Sequence, residues 1–242
     1  MLKAVWKLMN RVHAYHQFEK KRTHYFSKVS TPKELESLSS AQLPDIESLG
    51  SQLNYLVVDF ETTGLDASTD SILSVGWVEV NGFSIDLASA QHLYVDTTAS
   101  VNADGAVVNH IVPEMLKDGV PLDEAMQRLF DAAKNRILIA HGAIIEASFV
   151  KEYLSHRYGL KDVPILWIDT LAIEKSMAMA VNADGSIDVR LAETRERYGL
   201  PEYNGHEALI DAIATAELFL AQQTRLFDKS YPCIGKLYRM SR

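Results

Sequence analysis

Apolar residues recur at Leu2, Val5, Trp6, Met9 and Val12, the spacing of one helix face. This predicts an amphipathic helix over residues 2–22, ending in the cluster Glu19-Lys20-Lys21-Arg22. Residues 30–52, rich in Ser, Pro, Leu and Glu, read as a linker with one short helix started by Thr31-Pro32. From Tyr55 the pattern changes. Tyr55–Phe60 and Ile72–Val80 are runs of strand-forming residues, and Asn81-Gly82 turns the chain into a third strand within Phe83–Val95. Beyond this antiparallel meander, helices near 121–134, 144–158, 169–180, 188–198 and 207–223 alternate with strands at Arg136–Ala140 and Ile165–Ile168. The class is α/β with a mixed sheet.

The length of 242 residues suits one large domain with appended segments. We divide it into a basic arm and linker (1–52), a main domain (53–228) and a basic C-terminal tail (229–242) carrying Lys236, Arg239 and Arg242. No run of about 18 apolar residues exists to span a membrane. The one cysteine, Cys233, excludes an internal disulfide and a cysteine-rich zinc site, which points to a reducing compartment, the cytoplasm. Charge is divided unevenly. Residues 1–33 hold eight Lys/Arg against Glu19 alone, so the remaining 209 residues carry 16 basic and 31 acidic groups, a balance of −15 in a chain whose total is −8. An acidic body argues against broad electrostatic binding to duplex nucleic acid, but not against holding a nucleic-acid end through divalent cations. The arm fits packing on the body or on a second subunit, with nucleic-acid contact and membrane or organelle targeting as alternatives.

The sharpest local signal is Asp59-Phe60-Glu61-Thr62-Thr63-Gly64-Leu65 at the end of the first strand. Side chains at i and i+2 share a face, so Asp59 and Glu61 project together while Phe60 turns to the core. Two carboxylates in one small site repel unless a hard divalent ion such as Mg²⁺ or Mn²⁺ joins them. A second signal is His206-Glu-Ala-Leu-Ile-Asp211 on an Ala-rich helix, where Ala208, Ala212 and Ala216 form a thin stripe that permits close approach. Five residues subtend about 140° on a helix, so His206 and Asp211 converge only if His206 lies in the preceding loop. There it suits a general base. Asp169-Thr170 reads as a helix N-cap and His141 as a local hydrogen-bonding residue. Asn102-Ala103-Asp104 and Asn182-Ala183-Asp184-Gly185 lack the later Glu of a calcium loop and read as turns.

These residues carry a resemblance. Asp59-x-Glu61-Thr-Thr-Gly, the strand ending Ala140-His141-Gly142-Ala143, and His206-x4-Asp211 resemble the three motifs of the DEDDh exonucleases, the family of proofreading subunits, RNase T and oligoribonuclease. Val108-Asn109-His110-Ile111 and Ile168-Asp169-Thr170-Leu171 add to the likeness, which covers roughly residues 54–223. The resemblance implies an RNase H-like mixed sheet flanked by helices, here with an N-terminal helical arm. It implies hydrolysis of single-stranded DNA or RNA from the 3′ end to nucleoside monophosphates, as in proofreading. It further implies two divalent ions, Mg²⁺ or Mn²⁺, held about 3.5–4 Å apart by Asp59, Glu61 and Asp211, with His206 as the base. Thr62 and Thr63 would meet the terminal sugar and Leu65 the terminal base, Gly64 would belong to the same substrate-binding stretch, and His110 would lie near the terminal nucleotide.

One motif departs from the pattern. Where the family reads His-Asn-Ala-x-Phe-Asp, this chain reads His141-Gly142-Ala143-Ile144-Ile145-Glu146, so Glu146 is the carboxylate in register and is expected to join the ions through a water. The alternatives are RNA trimming like that of RNase T or oligoribonuclease, and an end-binding module of nuclease fold that does not cleave. For the arm, the partners implied are a polymerase or a second copy of the chain.

Overall fold

The computed structural model describes residues 13–96, 111–180, 187–203 and 205–242. The predicted meander forms β1 (Asn54–Thr62), β2 (Ile72–Asn81) and β3 (Ser84–Tyr94), with β2 and β3 joined at Gly82, whose φ is +63°. Two short strands, β4 (Ile137–Ala140) and β5 (Trp167–Asp169), complete a five-stranded sheet in the order β3-β2-β1-β4-β5. β1 is antiparallel to β2 and parallel to β4, so the central strand joins the two halves of a mixed sheet. This is the RNase H-like exonuclease architecture expected from the motifs.

Among the described residues the α-helices are α1 (Ala14–Lys28), α2 (Glu36–Ser39), α3 (Pro113–Lys117), α4 (Leu122–Ala132), α5 (Ile144–Tyr158), α6 (Thr170–Ala180), α7 (Leu191–Arg197), α8 (Ala208–Arg225) and α9 (Ile234–Met240). Alternation along β1 sorts them into layers. Leu56, Val58 and Phe60 face a core completed by Met126, Leu129 and Phe130 of α4 and Phe149 and Leu154 of α5. Tyr55 and Val57 face the opposite core, with Phe219 of α8 and Ile234 and Leu237 of α9. Asp59 and Glu61 continue this second register, so the strand period that buries Tyr55 and Val57 aims two carboxylates at α8.

Residues 2–12 of the expected arm helix lie outside the described residues. The visible part does not stop at Arg22 but runs to Lys28. Tyr15 is buried and donates to the Pro44 carbonyl at 2.7 Å. Arg22 is buried and donates to the carbonyls of Leu38, Ala41 and Pro164, while Lys20 and Lys21 stay exposed. The C-terminal segment, expected as a surface tail, instead forms α9. Its apolar positions Ile234 and Leu237 are buried, and Gly235 lies against Ile46. The reason is physical: a few apolar residues in a basic stretch suffice to dock it when a complementary face exists. Among the described residues, no helix is long and apolar enough to cross a membrane.

Candidate metal centre

Asp59, Glu61 and Asp211 each present a carboxylate oxygen within 4.8 Å of the others. Glu61 is buried, whereas Asp59 and Asp211 are partly exposed. The approach of α8 to β1 depends on Gly76 of β2, which pairs with Asp59. A Cβ on Gly76 would lie 2.2 Å from the Leu209 nitrogen and 2.3 Å from the Ala208 carbonyl carbon, so only glycine lets the helix start rest on the sheet. The alanine stripe meets that need from the other side, since Ala208, Ala212 and Ala216 are fully buried.

Glu146 lies in the first turn of α5 and is 4% exposed. Beyond Val57, which pairs with Ile139, β1 has no further partner on β4, and α5 starts beside this overhang. The Glu146 carboxylate accepts from its own backbone N–H and from that of Phe60, while its Oε2 is buried with no hydrogen-bond partner among the described residues. His206 sits in the loop before α8, as its spacing required, at φ +69°. Its backbone N–H donates to Asp211 Oδ2 at 2.9 Å, and its side chain is exposed.

The electrostatics are those of crowded acids. Burial, then Glu146, Asp211 and Glu61, hold the Asp59 carboxyl well above the usual range. Burial, then Asp211 and Glu207, push Glu61 up to about 7. Burial also raises Glu146 to about 8, with Asp169 and Glu61 adding to the shift and the two backbone N–H groups opposing it. Asp211 is raised by burial, against the pull of the His206 backbone N–H, the His206 side chain and Arg195. Asp59, Glu61 and Asp211 are a donor set suited to hard divalent cations, and Glu146 adds a fourth raised carboxyl, with an orphaned buried oxygen, outside that trio.

Around this centre, Thr62 Oγ1 donates to the Gly64 carbonyl at 2.7 Å, and Thr63 Oγ1 donates to Asp70 Oδ1 at 2.9 Å. The two hydroxyls therefore shape the turn, and Gly64 is packed against the Asp70 carboxylate. Leu65 is 76% exposed at the rim, as is Ile144 at the start of α5. His110 and both calcium-loop fragments lie outside the described residues. His141 bridges Thr170 Oγ1 and the Val189 carbonyl, each at 2.8 Å, so it ties loops together. Asp169 caps α6 through the N–H groups of Leu171 and Ala172, and also accepts from Gly142, whose φ is +82°. Sequence reasoning missed Gly76 and Asp70. A glycine inside a strand-forming run was the available signal for the first; for Asp70 there was none.

Comparisons with known proteins bear on the family and the fold. A family model described as exonuclease, of the RNase T type, matches residues 56–219. The chain is 30% identical over 166 residues to the PolC-type DNA polymerase III of Thermotoga maritima, covering 69% of this chain and 12% of that protein. It is 28% identical over 193 residues to the 3′-5′ exonuclease DinG of Staphylococcus aureus, covering 78% of this chain and 20% of that protein. The chain thus spans a fifth or less of these relatives. In fold it is similar to Escherichia coli exonuclease I in complex with a dT13 oligonucleotide. The TM-score is 0.61 at 14% identity, over 72% of this chain and 42% of that one.

Proposed function

Because the chain belongs to the RNase T type of exonucleases, we propose that it is a metal-dependent 3′-to-5′ exonuclease that removes nucleoside monophosphates from single-stranded ends. The observation that carries this reading is the convergence of Asp59, Glu61 and Asp211, with the His206 backbone fastened to the last of them. These three carboxylates would hold two divalent ions, Mg²⁺ or Mn²⁺, with Glu146 joining through a water. When bound, such ions stabilise charge on the attacking and leaving oxygens of an in-line displacement.

The protein's own groups do the rest. His206 takes the proton of the attacking water as the water oxygen bonds to the terminal phosphorus. The bond to the 3′ oxygen of the shortened strand breaks, and that oxygen leaves with a proton from solvent. The turn of Thr62, Thr63 and Gly64 presents a fixed edge to the terminal sugar, and exposed Leu65 offers an apolar surface to the terminal base. Exposed Lys20 and Lys21 leave the arm able to meet a partner such as a polymerase or a second copy, while Arg22 is committed to the fold.

The test is incubation with 5′-labelled single-stranded DNA and RNA in Mn²⁺ and in EDTA. We expect stepwise shortening from the 3′ end with metal and none with chelator. The His206→Ala variant should lose about 10²–10⁴-fold in rate. A strand that is retarded but never shortened would instead indicate an end-binding module. Shortening of RNA alone would indicate an RNA trimmer.

A further inference from the structure

Arg195 lies on α7 with its side chain only 5% exposed, and its contacts run to two different pieces of chain. On α8 its Nη1 donates to the Ala214 carbonyl and its Nη2 donates to Glu217 Oε2 at 2.7 Å. On the loop between the helices, Nη2 also donates to the Pro201 carbonyl at 2.8 Å, and the guanidinium carbon lies 4.8 Å from the centre of the Tyr203 ring. Tyr203 closes the arrangement by donating its hydroxyl to Glu217 Oε1 at 3.0 Å.

The loop that is held here leads directly to His206, and the helix that holds it carries Asp211. We infer that Arg195 is a positioning residue of the nuclease site: with Glu217 and Tyr203 it fixes the His206 loop against the Asp211 helix. This rests on the nuclease reading above. Two fastenings then define where the imidazole stands. One is the His206 N–H on Asp211, and the other is the Arg195 fork upstream. The second is needed because a histidine at φ +69° is in a sparsely populated conformation that its surroundings must impose. The planar guanidinium reaches loop and helix at once while lying on an aromatic face, a geometry that a lysine ammonium does not reproduce.

The experiment compares Arg195→Met in the parent protein and in His206→Ala, using single-strand cleavage with Mn²⁺. In the parent we expect kcat to fall on the order of 10–10²-fold at little-changed KM, the cost of a base displaced by about 1 Å. In His206→Ala the same substitution should cost clearly less than in the parent, because the group it positions is gone and only the direct effect of the Arg195 charge on Asp211 remains. Arg195→Lys should recover part of the loss. Independently of metal and strand, amide hydrogen exchange at His206 should speed up in Arg195→Met while Leu218–Gln222 of α8 keep their protection. Tyr203→Phe, which removes one hydroxyl, should show the same exchange effect more weakly and covers the case in which Arg195→Met does not fold. Equal losses in the two backgrounds, or unchanged exchange at His206, would overturn the inference. A parent protein that leaves every strand intact would overturn the nuclease reading itself, and the metal-free exchange experiment separates that failure from this one.

Discussion

Gly76 stands opposite Asp59 in the β1–β2 register, and the space its side chain lacks is filled by the backbone of Ala208 and Leu209. The distance between the first and last acidic motifs is therefore set by a residue that belongs to neither. Gly76→Ala should push α8 outward, costing about 1–3 kcal/mol in stability and, through the displaced Asp211, on the order of 10²-fold in rate. Denaturant melts and steady-state kinetics on the same preparation check both numbers, and a variant as fast and as stable as the parent would contradict the packing argument.

Asp59→Asn and Asp211→Asn should abolish cleavage yet leave the metal-free protein as stable as the parent or more so. Each removes one charge from a cluster whose members hold one another above the usual carboxylate range. The measurement is the thermal midpoint in EDTA beside the turnover in Mn²⁺. Stability lost as in a core deletion, with turnover intact, would reverse the assignment.

Glu146 is longer by one methylene than the aspartate of the family motif, yet it is buried next to Asp59 with one oxygen unpartnered. Glu146→Gln should be clearly impaired, and Glu146→Asp should keep part of the activity, since a water can take up about 1.5 Å of reach. If Glu146→Ala cleaves a single strand as fast as the parent, the fourth carboxylate of the site lies elsewhere.

The raised carboxyls make stability depend on pH in a defined direction. Glu61 at about 7 and Glu146 at about 8 bind protons more tightly in the metal-free fold than in the unfolded chain, where 4.5 is the ordinary value. The native state therefore holds more protons across this window, and its stability falls as pH rises from about 4.5 to about 8. Below the window both states are protonated and the penalty vanishes; above it the penalty is constant. Melts in EDTA should show this decline, flattened in Glu61→Gln and Glu146→Gln. Mg²⁺ or Mn²⁺ should raise the midpoint more at about pH 8 than at about pH 5. A metal-induced gain of equal size at both pH values would refute the coupling.

What could be read from the chain beforehand were the periodic features. The i, i+2 placement of Asp59 and Glu61, the alanine stripe of α8, the loop position of His206 and the span of α5 all follow from strand and helix geometry, which is local. What could not be read depends on partners distant in sequence. Arg22 looked like one more member of a basic cluster, because nothing near it reveals that carbonyls at Leu38, Ala41 and Pro164 will converge on it. Arg195 was equally silent, and α9 looked like a tail because its burial depends on Ile46 and the α8 face of the sheet. The expected start of β5 at Ile165 moved to Trp167 for a similar reason: strand pairing with β4 begins only there.

The hydrogen bond from Arg22 to Pro164 joins residues 142 positions apart. On a ribosome adding roughly 5–20 residues per second, the interval between making the donor and making its acceptor is roughly 7–30 s. For that time the N-terminal helix cannot complete its seat, whatever its own helical tendency, because the Arg22 guanidinium has only the nearby carbonyls of Leu38 and Ala41 to meet. The arm is thus among the last segments to reach its final contacts, although its residues precede those of the acidic body on which it docks. Such a long-range closure raises contact order and slows the final folding step, so a chain shortened at its N-terminus would differ in folding rate as well as in stability.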